Sequence, residues 1–139
     1  MALVVDASVA LSWALPDESS AYADDVLDEV ERDGLRVPEL WAREIANGLA
    51  VAYLRKRITS ADEKAFLAAL SNLNITVEQA PSALAVIRDG TAAAIRYGLT
   101  AYDAAYVDLA WREGLTLATL DTAMRKAAEQ SQIKIFRRE

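Results

Sequence analysis

Ala2-Leu3-Val4-Val5-Asp6-Ala7-Ser8-Val9-Ala10 runs four apolar residues into a carboxylate, then resumes with a hydroxyl and small apolar side chains. A short, unbroken apolar run is how a strand buried on both faces reads, and both faces are buried in a parallel sheet covered by helices. Asp6 then falls at the carboxyl end of that strand, where open parallel sheets bind their ligands. Ser8 is expected to cap a short helix that runs to Leu15 and is stopped by Pro16-Asp17.

Outward from this strand, the hydrophobic period switches repeatedly between short runs and helical spacing. Further strands are expected over residues 35–37, 74–77, 115–118 and 133–136. Between them, Tyr22, Val26, Leu27 and Val30 share one face of a helix from about Glu18 to the stop at Gly34, and Trp41, Ile45, Leu49 and Tyr53 share one face of a helix over residues 39–56. Another helix is expected to start at the capping box Ser60-Ala61-Asp62-Glu63, and others to span residues 82–97, 100–113 and 122–129. The alternation predicts an α/β class: a three-layer α/β/α domain over residues 1–139 with a five-stranded, mostly parallel central sheet.

Composition removes many chemistries. The 139 residues include neither cysteine nor histidine, which excludes disulfides, thiolate zinc sites, imidazole ligands and the Ser-His-Asp triad. With 15 Lys+Arg against 21 Asp+Glu, the net charge of -6 argues against holding nucleic acid by bulk charge, while leaving room for a nuclease that recruits cations locally. The start carries no basic leader, and the longest uncharged runs, such as residues 45–54, fall far short of the ~20 residues a membrane span needs. The expectation is a cytoplasmic protein with no membrane partner.

Any catalysis must therefore rest on carboxylates. Asp6 and Asp121 follow strands, and Asp103 lies in the first turn of a helix opened by Thr100. Glu44 sits beside an apolar helix stripe, where Gly48 leaves space next to it and Asn47 is a polar neighbour. Carboxylates that converge on one cleft raise one another's pKa values unless a counter-charge is present. A hard divalent cation, Mg²⁺ or Mn²⁺, removes the conflict and can activate water against a phosphodiester. Each residue also has a plainer reading: Asp6 and Asp121 as helix caps, Asp103 as the capping partner of Thr100, Glu44 as a solvated helix residue. Ser8 is expected both to cap and to donate near Asp6, and Thr119 and Asn47 can orient ligands or simply hydrogen bond. Trp13, Trp41 and Trp111 read as core or interface, and the basic clusters at residues 55–57 and 134–138 as solvated charge.

Four strings in order carry a resemblance: Val5-Asp6-Ala7-Ser8; Pro38-Glu39-Leu40 with Glu44-Ile45-Ala46-Asn47-Gly48-Leu49; Leu99-Thr100-Ala101-Tyr102-Asp103-Ala104-Ala105-Tyr106; and Leu117-Ala118-Thr119-Leu120-Asp121. Over essentially the whole chain this resembles the PIN-domain ribonucleases, and within them the VapC toxins of toxin–antitoxin pairs. The resemblance implies a PIN-like fold whose acidic quartet is Asp6, Glu44, Asp103 and Asp121, with Ser8 and Thr119 at its hydroxyl positions and Asn47 beside the Glu. It also implies a Mg²⁺- or Mn²⁺-dependent endoribonuclease of a type II toxin–antitoxin system. Asp6 and Asp103 would hold the main cation, Asp121 and Glu44 would complete the cation and water environment, and the products would carry a 5′-phosphate and a 3′-hydroxyl. Expected partners are RNA, a VapB-type antitoxin with a basic segment over the site, and a second copy of the chain, with the helix over residues 41–53 and its successor as candidate dimer surface. The alternatives are a partner-binding subunit, a receiver-like regulatory domain with an acidic Mg²⁺ pocket, and a metal-dependent DNA nuclease.

Overall fold

In the computed structural model, which describes residues 1–137, β1 (Leu3–Val5) lies between β2 (Leu35–Pro38) and β4 (Thr116–Ala118), with β3 (Ile75–Glu78) beyond β2. Every pairing is parallel: Leu3 stands opposite both Leu35 and Thr116, and Leu35 opposite Ile75. Successive strand side chains point to opposite faces. Leu3, Val4 and Val5 are nevertheless all buried, so both faces of β1 are covered, as its apolar run requires.

The cover comes from seven α-helices among the described residues: α1 (Ala7–Leu11), α2 (Ala21–Asp33), α3 (Leu40–Leu54), α4 (Ser60–Ser71), α5 (Ala83–Tyr97), α6 (Ala101–Glu113) and α7 (Thr122–Gln130). Helix α6 lies against β1, β2 and β4 and buries Tyr106, Val107, Leu109 and Ala110, while α2 meets β1 and buries Val26 and Val30. Burying a side chain of this size stabilises by roughly 1.5–3 kcal/mol, so these contacts fix where the strand ends lie.

The fifth strand is reduced to one bridge. Ile135 pairs with Leu117 in parallel, the Leu117 N–H donating to the Lys134 carbonyl at 2.9 Å and the Phe136 N–H to the Leu117 carbonyl at 2.9 Å. The cause is the length of β4. In a strand, the backbone groups of alternate residues point to opposite edges, and β4 has three residues, two of which, Thr116 and Ala118, face β1. Leu117 is left as the one residue able to pair outward.

Several boundaries also shift. Asp6 itself, not Ser8, caps α1, and the helix ends at Leu11, with Pro16 opening a separate 3-10 turn over Pro16–Glu18. Helix α2 is capped by Ser20, and the capping box of α4 is Thr59 with Asp62, one residue before the expected one. The space expected beside Glu44 at Gly48 is filled by α1: a Cβ there would stand 2.4 Å from Leu11 Cδ1. That missing Cβ lets α1 and α3 approach closely, and the approach brings the Glu44 helix to the carboxyl end of β1. Gly34 makes another close approach, with φ +81° and a would-be Cβ 2.8 Å from the Asn74 carbonyl, so β2 and β3 can start side by side.

Candidate active site

The strand order creates the site. From β1 the chain adds β2 and then β3 on one side, and returns to place β4 on the other. Loops leaving β1 and β4 therefore diverge, and the crevice at such a switch point is where open parallel sheets bind ligands. Asp6 leaves β1 there and Thr119-Leu120-Asp121 leaves β4.

Asp6 is 4% exposed, and its carboxylate is fully engaged. Oδ1 accepts from the Val9 N–H at 2.9 Å and the Ser8 hydroxyl at 3.1 Å, while Oδ2 accepts a short bond from the Thr119 hydroxyl. Burial pushes the Asp6 carboxyl above the usual carboxylate range against these donors, and the charge of Asp121 pushes it further. The helix-cap reading of Asp6 is therefore correct as structure, and it coexists with a buried carboxylate at the crevice.

Thr119 joins two of the acids. Fully buried, its hydroxyl donates to Asp6 and accepts from the Asp121 N–H at 3.0 Å. Asp121 is exposed and caps α7, accepting from the Met124 N–H at 2.8 Å. Thr119→Val keeps the shape and removes the hydroxyl, leaving a buried carboxylate oxygen and a backbone N–H without that partner. It should lower unfolding free energy by about 1–3 kcal/mol, seen as a lower urea midpoint at unchanged slope.

The other two acids come from helices. Glu44 is half-buried on α3, and Tyr106 of α6 donates its phenol proton to Oε1 at 2.5 Å. Burial pushes the Glu44 carboxyl up, Tyr106 opposes this, and Asp103 and Asp6 add to the rise. Asp103 is half-buried in the first turn of α6, its N–H donating to the capping Thr100 hydroxyl at 3.1 Å, and burial and Asp121 raise it as well. The repulsions close a circuit from Asp6 to Asp121, to Asp103, to Glu44 and back to Asp6.

Of the remaining expectations, Ser8 meets Asp6 as predicted, whereas Asn47 is exposed on α3. Two residues outside the predicted set reach this region. Tyr106 follows Asp103 by three positions, which places both on one helix face, a spacing visible in the sequence. Arg125 donates to the Thr119 carbonyl at 2.6 Å and stacks on the Tyr22 ring at 5.1 Å, a pairing no local pattern announces. Trp41 is core and Trp13 donates to the Ala23 carbonyl, while Trp111 is exposed with Arg96 over its ring. Arg57 pairs with Asp17 and Glu18, and Arg137 with Glu129; Arg138 lies outside the described residues. Two surface grooves, one between α5, α6 and the start of α3 and one between α3 and α4, include none of the four acids.

Side chains from four separated segments thus bring like charge to one crevice, and oxygen donors of this kind suit a hard divalent cation. In the conformation described, no three of them among the described residues are close enough to share one ion, so the approach is pairwise. The fit to a cation lies in the donor chemistry: three carboxyls held above their usual range by burial first, and further by neighbouring acids.

A parallel sheet in the order β3-β2-β1-β4, with acids at its switch point, defines the class: the chain belongs to the PIN-domain family, whose model matches residues 3–130. It is 34% identical over 130 residues to Ribonuclease VapC3 of Pyrobaculum aerophilum, covering 94% of this chain and 95% of that protein. The crystal structure of PAE2754 from the same organism superposes with a TM-score of 0.67 at 26% identity, over 91% of this chain and 86% of that one. FitAcB from Neisseria gonorrhoeae shares the fold, with a TM-score of 0.61 at 19% identity over 99% of this chain and 97% of that one.

Proposed function

We propose that the chain, acting as one nuclease domain, is the toxin of a type II toxin–antitoxin pair and a Mg²⁺- or Mn²⁺-dependent endoribonuclease. The observation that carries this reading is the gathering of four carboxylates at the sheet's switch point, Asp6 joined to Asp121 through Thr119, and Glu44 tied to the helix that carries Asp103 through Tyr106. Likeness to a ribonuclease of the VapC group supports the substrate class. Asp6, Glu44, Asp103 and Asp121 would hold the cation, Asp6 and Asp103 most directly, while Ser8 and Thr119 orient Asp6 and Asn47 flanks the site. When bound, the cation supplies charge neutralisation at the phosphodiester and a water activated for in-line attack. The protein's own part is to hold the four carboxyls at the crevice, so that a cation can offset the cost of ionising the buried ones, and to position the RNA phosphate against them.

Cleavage of end-labelled total RNA with Mg²⁺ or Mn²⁺, beside an EDTA control and single-stranded DNA, tests the reading. Discrete fragments that require the cation and RNA are expected. Cleavage that survives EDTA would overturn the cation's role, and cleavage of DNA alone would reassign the substrate.

Binding of the cation to the folded state alone should also be visible without substrate. At about a hundred times its dissociation constant it adds about 2.7 kcal/mol of stability, read as a rise in Tm that EDTA reverses. The rise should shrink as pH falls into the carboxylate range, because protonated ligands do not bind. Equal melting with and without cation at neutral pH would count against the site.

A cognate VapB-type antitoxin bearing a basic segment matches both the acidic crevice and the net charge of -6. A homodimer is also proposed, with Leu84, Ile87 and Ile95, exposed along one face of α5, and Tyr53, Leu54 and Leu67, exposed on α3 and α4, as candidate surface. The proposed compartment is the cytoplasm; among the described residues no helix is long and apolar enough to cross a membrane.

A further inference from the structure

We infer that Tyr106 is the positioning residue for Glu44, holding its carboxylate at the crevice against the repulsion of Asp103 and Asp6 so that it is available to the cation. The inference rests on the proposed cation site and extends it to a residue outside the acidic quartet.

Helix α6 carries both Asp103 and, one turn later, Tyr106, so a single rigid element presents one acid of the circuit and the donor to another. Glu44 comes from a different helix, 62 residues away in sequence, and Asp103 and Asp6 both repel it. An unrestrained glutamate in that field would swing toward water, since three rotatable bonds let it and repulsion favours it. The phenol prevents this. Tyr106 is 2% exposed and held by the core, so its hydroxyl is fixed in space, and a bond from a fixed donor to an ionised acceptor is among the stronger hydrogen bonds. The bond occupies Oε1 only. Outer partners of metal ligands that fix orientation in this way typically contribute 10–100-fold in metal affinity or activity.

Tyr106→Phe removes the hydroxyl and keeps the ring. Mn²⁺ affinity, measured by calorimetry or by the free-ion electron paramagnetic signal, should fall about tenfold or more, with kcat lowered and KM for RNA little changed. Glu44→Gln should also weaken Mn²⁺, and adding Y106F to E44Q should change it less than about twofold, because the tyrosine acts through the carboxylate. Glu44→Asp, which keeps the charge but draws it away from the phenol, approaches the same contact from the other side and should lose affinity as Y106F does. Wild-type Mn²⁺ affinity in Y106F or in E44D, or losses that multiply in the double variant, would overturn the inference. Asp6→Asn separates this from failure of the site itself: if the wild type binds no Mn²⁺, or D6N binds it equally well, the cation site falls and the role of Tyr106 with it.

Discussion

Asp6→Asn should abolish RNA cleavage while making the cation-free protein more stable. The first effect follows from the role proposed for Asp6 as a direct cation ligand, with Ser8, Val9 and Thr119 fixing its carboxylate. Losing a direct ligand should cost more than the 10–100-fold typical of an outer partner, so a fall of at least about a hundredfold is expected in end-labelled RNA assays. The second effect follows from burial. The folded Asp6 carboxyl lies above its unfolded value, so its ionised form is costly in the native state. Below the unfolded pKa both states are protonated and nothing is lost; as pH rises through the raised folded value, that contribution to stability disappears. Asn carries no charge and caps a helix about as well as Asp. D6N should therefore melt higher than wild type at neutral pH without cation, with the Thr119 hydroxyl accepting from the Asn amide and its own hydrogen turned toward Met124 Sδ. The difference should narrow toward pH 4, and added Mg²⁺ should stabilise only the wild type. A folded D6N that still cuts RNA would remove Asp6 from the site, and one that melts lower at neutral pH would refute the charge argument.

Leu117→Ala is the largest expected loss of stability, about 2–5 kcal/mol. Leu117 is the fully buried middle residue of β4, beside β1 on one edge and bonded to the segment around Ile135 on the other. Truncation opens a cavity where two edges meet, and domains have only about 5–15 kcal/mol in total. Because β4 delivers Thr119 and Asp121, cleavage should fail at a lower temperature in the variant than in wild type, in step with its melting curve. A urea midpoint that moves by less than about 1 kcal/mol would show that β4 is held by something other than this side chain.

What could be read from the sequence was what depends on neighbours along the chain. The apolar run into Asp6 disclosed a buried strand with an acid at its end, and the spacing from Thr100 to Asp103 disclosed a capped helix start. Properties fixed by distant partners stayed hidden. Residues 133–136 have strand composition, yet how many pair depends on the length of β4, which ends because Thr119 turns away to join Asp6 and Asp121. Gly48 could be seen as a gap, but that Leu11 fills it is a matter of helix packing. Tyr106 is core, and only the approach of α3 makes its hydroxyl a donor to Glu44. The order of the strands, which creates the crevice, leaves no local trace at all.

The long reach from Asp6 to Thr119 also sets a clock. The two are 113 residues apart, and a ribosome that emits the chain from its amino end releases Asp6 long before its principal hydroxyl donor. Until residues 116–121 emerge, β1 has a vacant edge and the site lacks both Thr119 and Asp121. A nascent chain therefore lacks the β4 corner of the acidic crevice until residues 116–121 have left the ribosome.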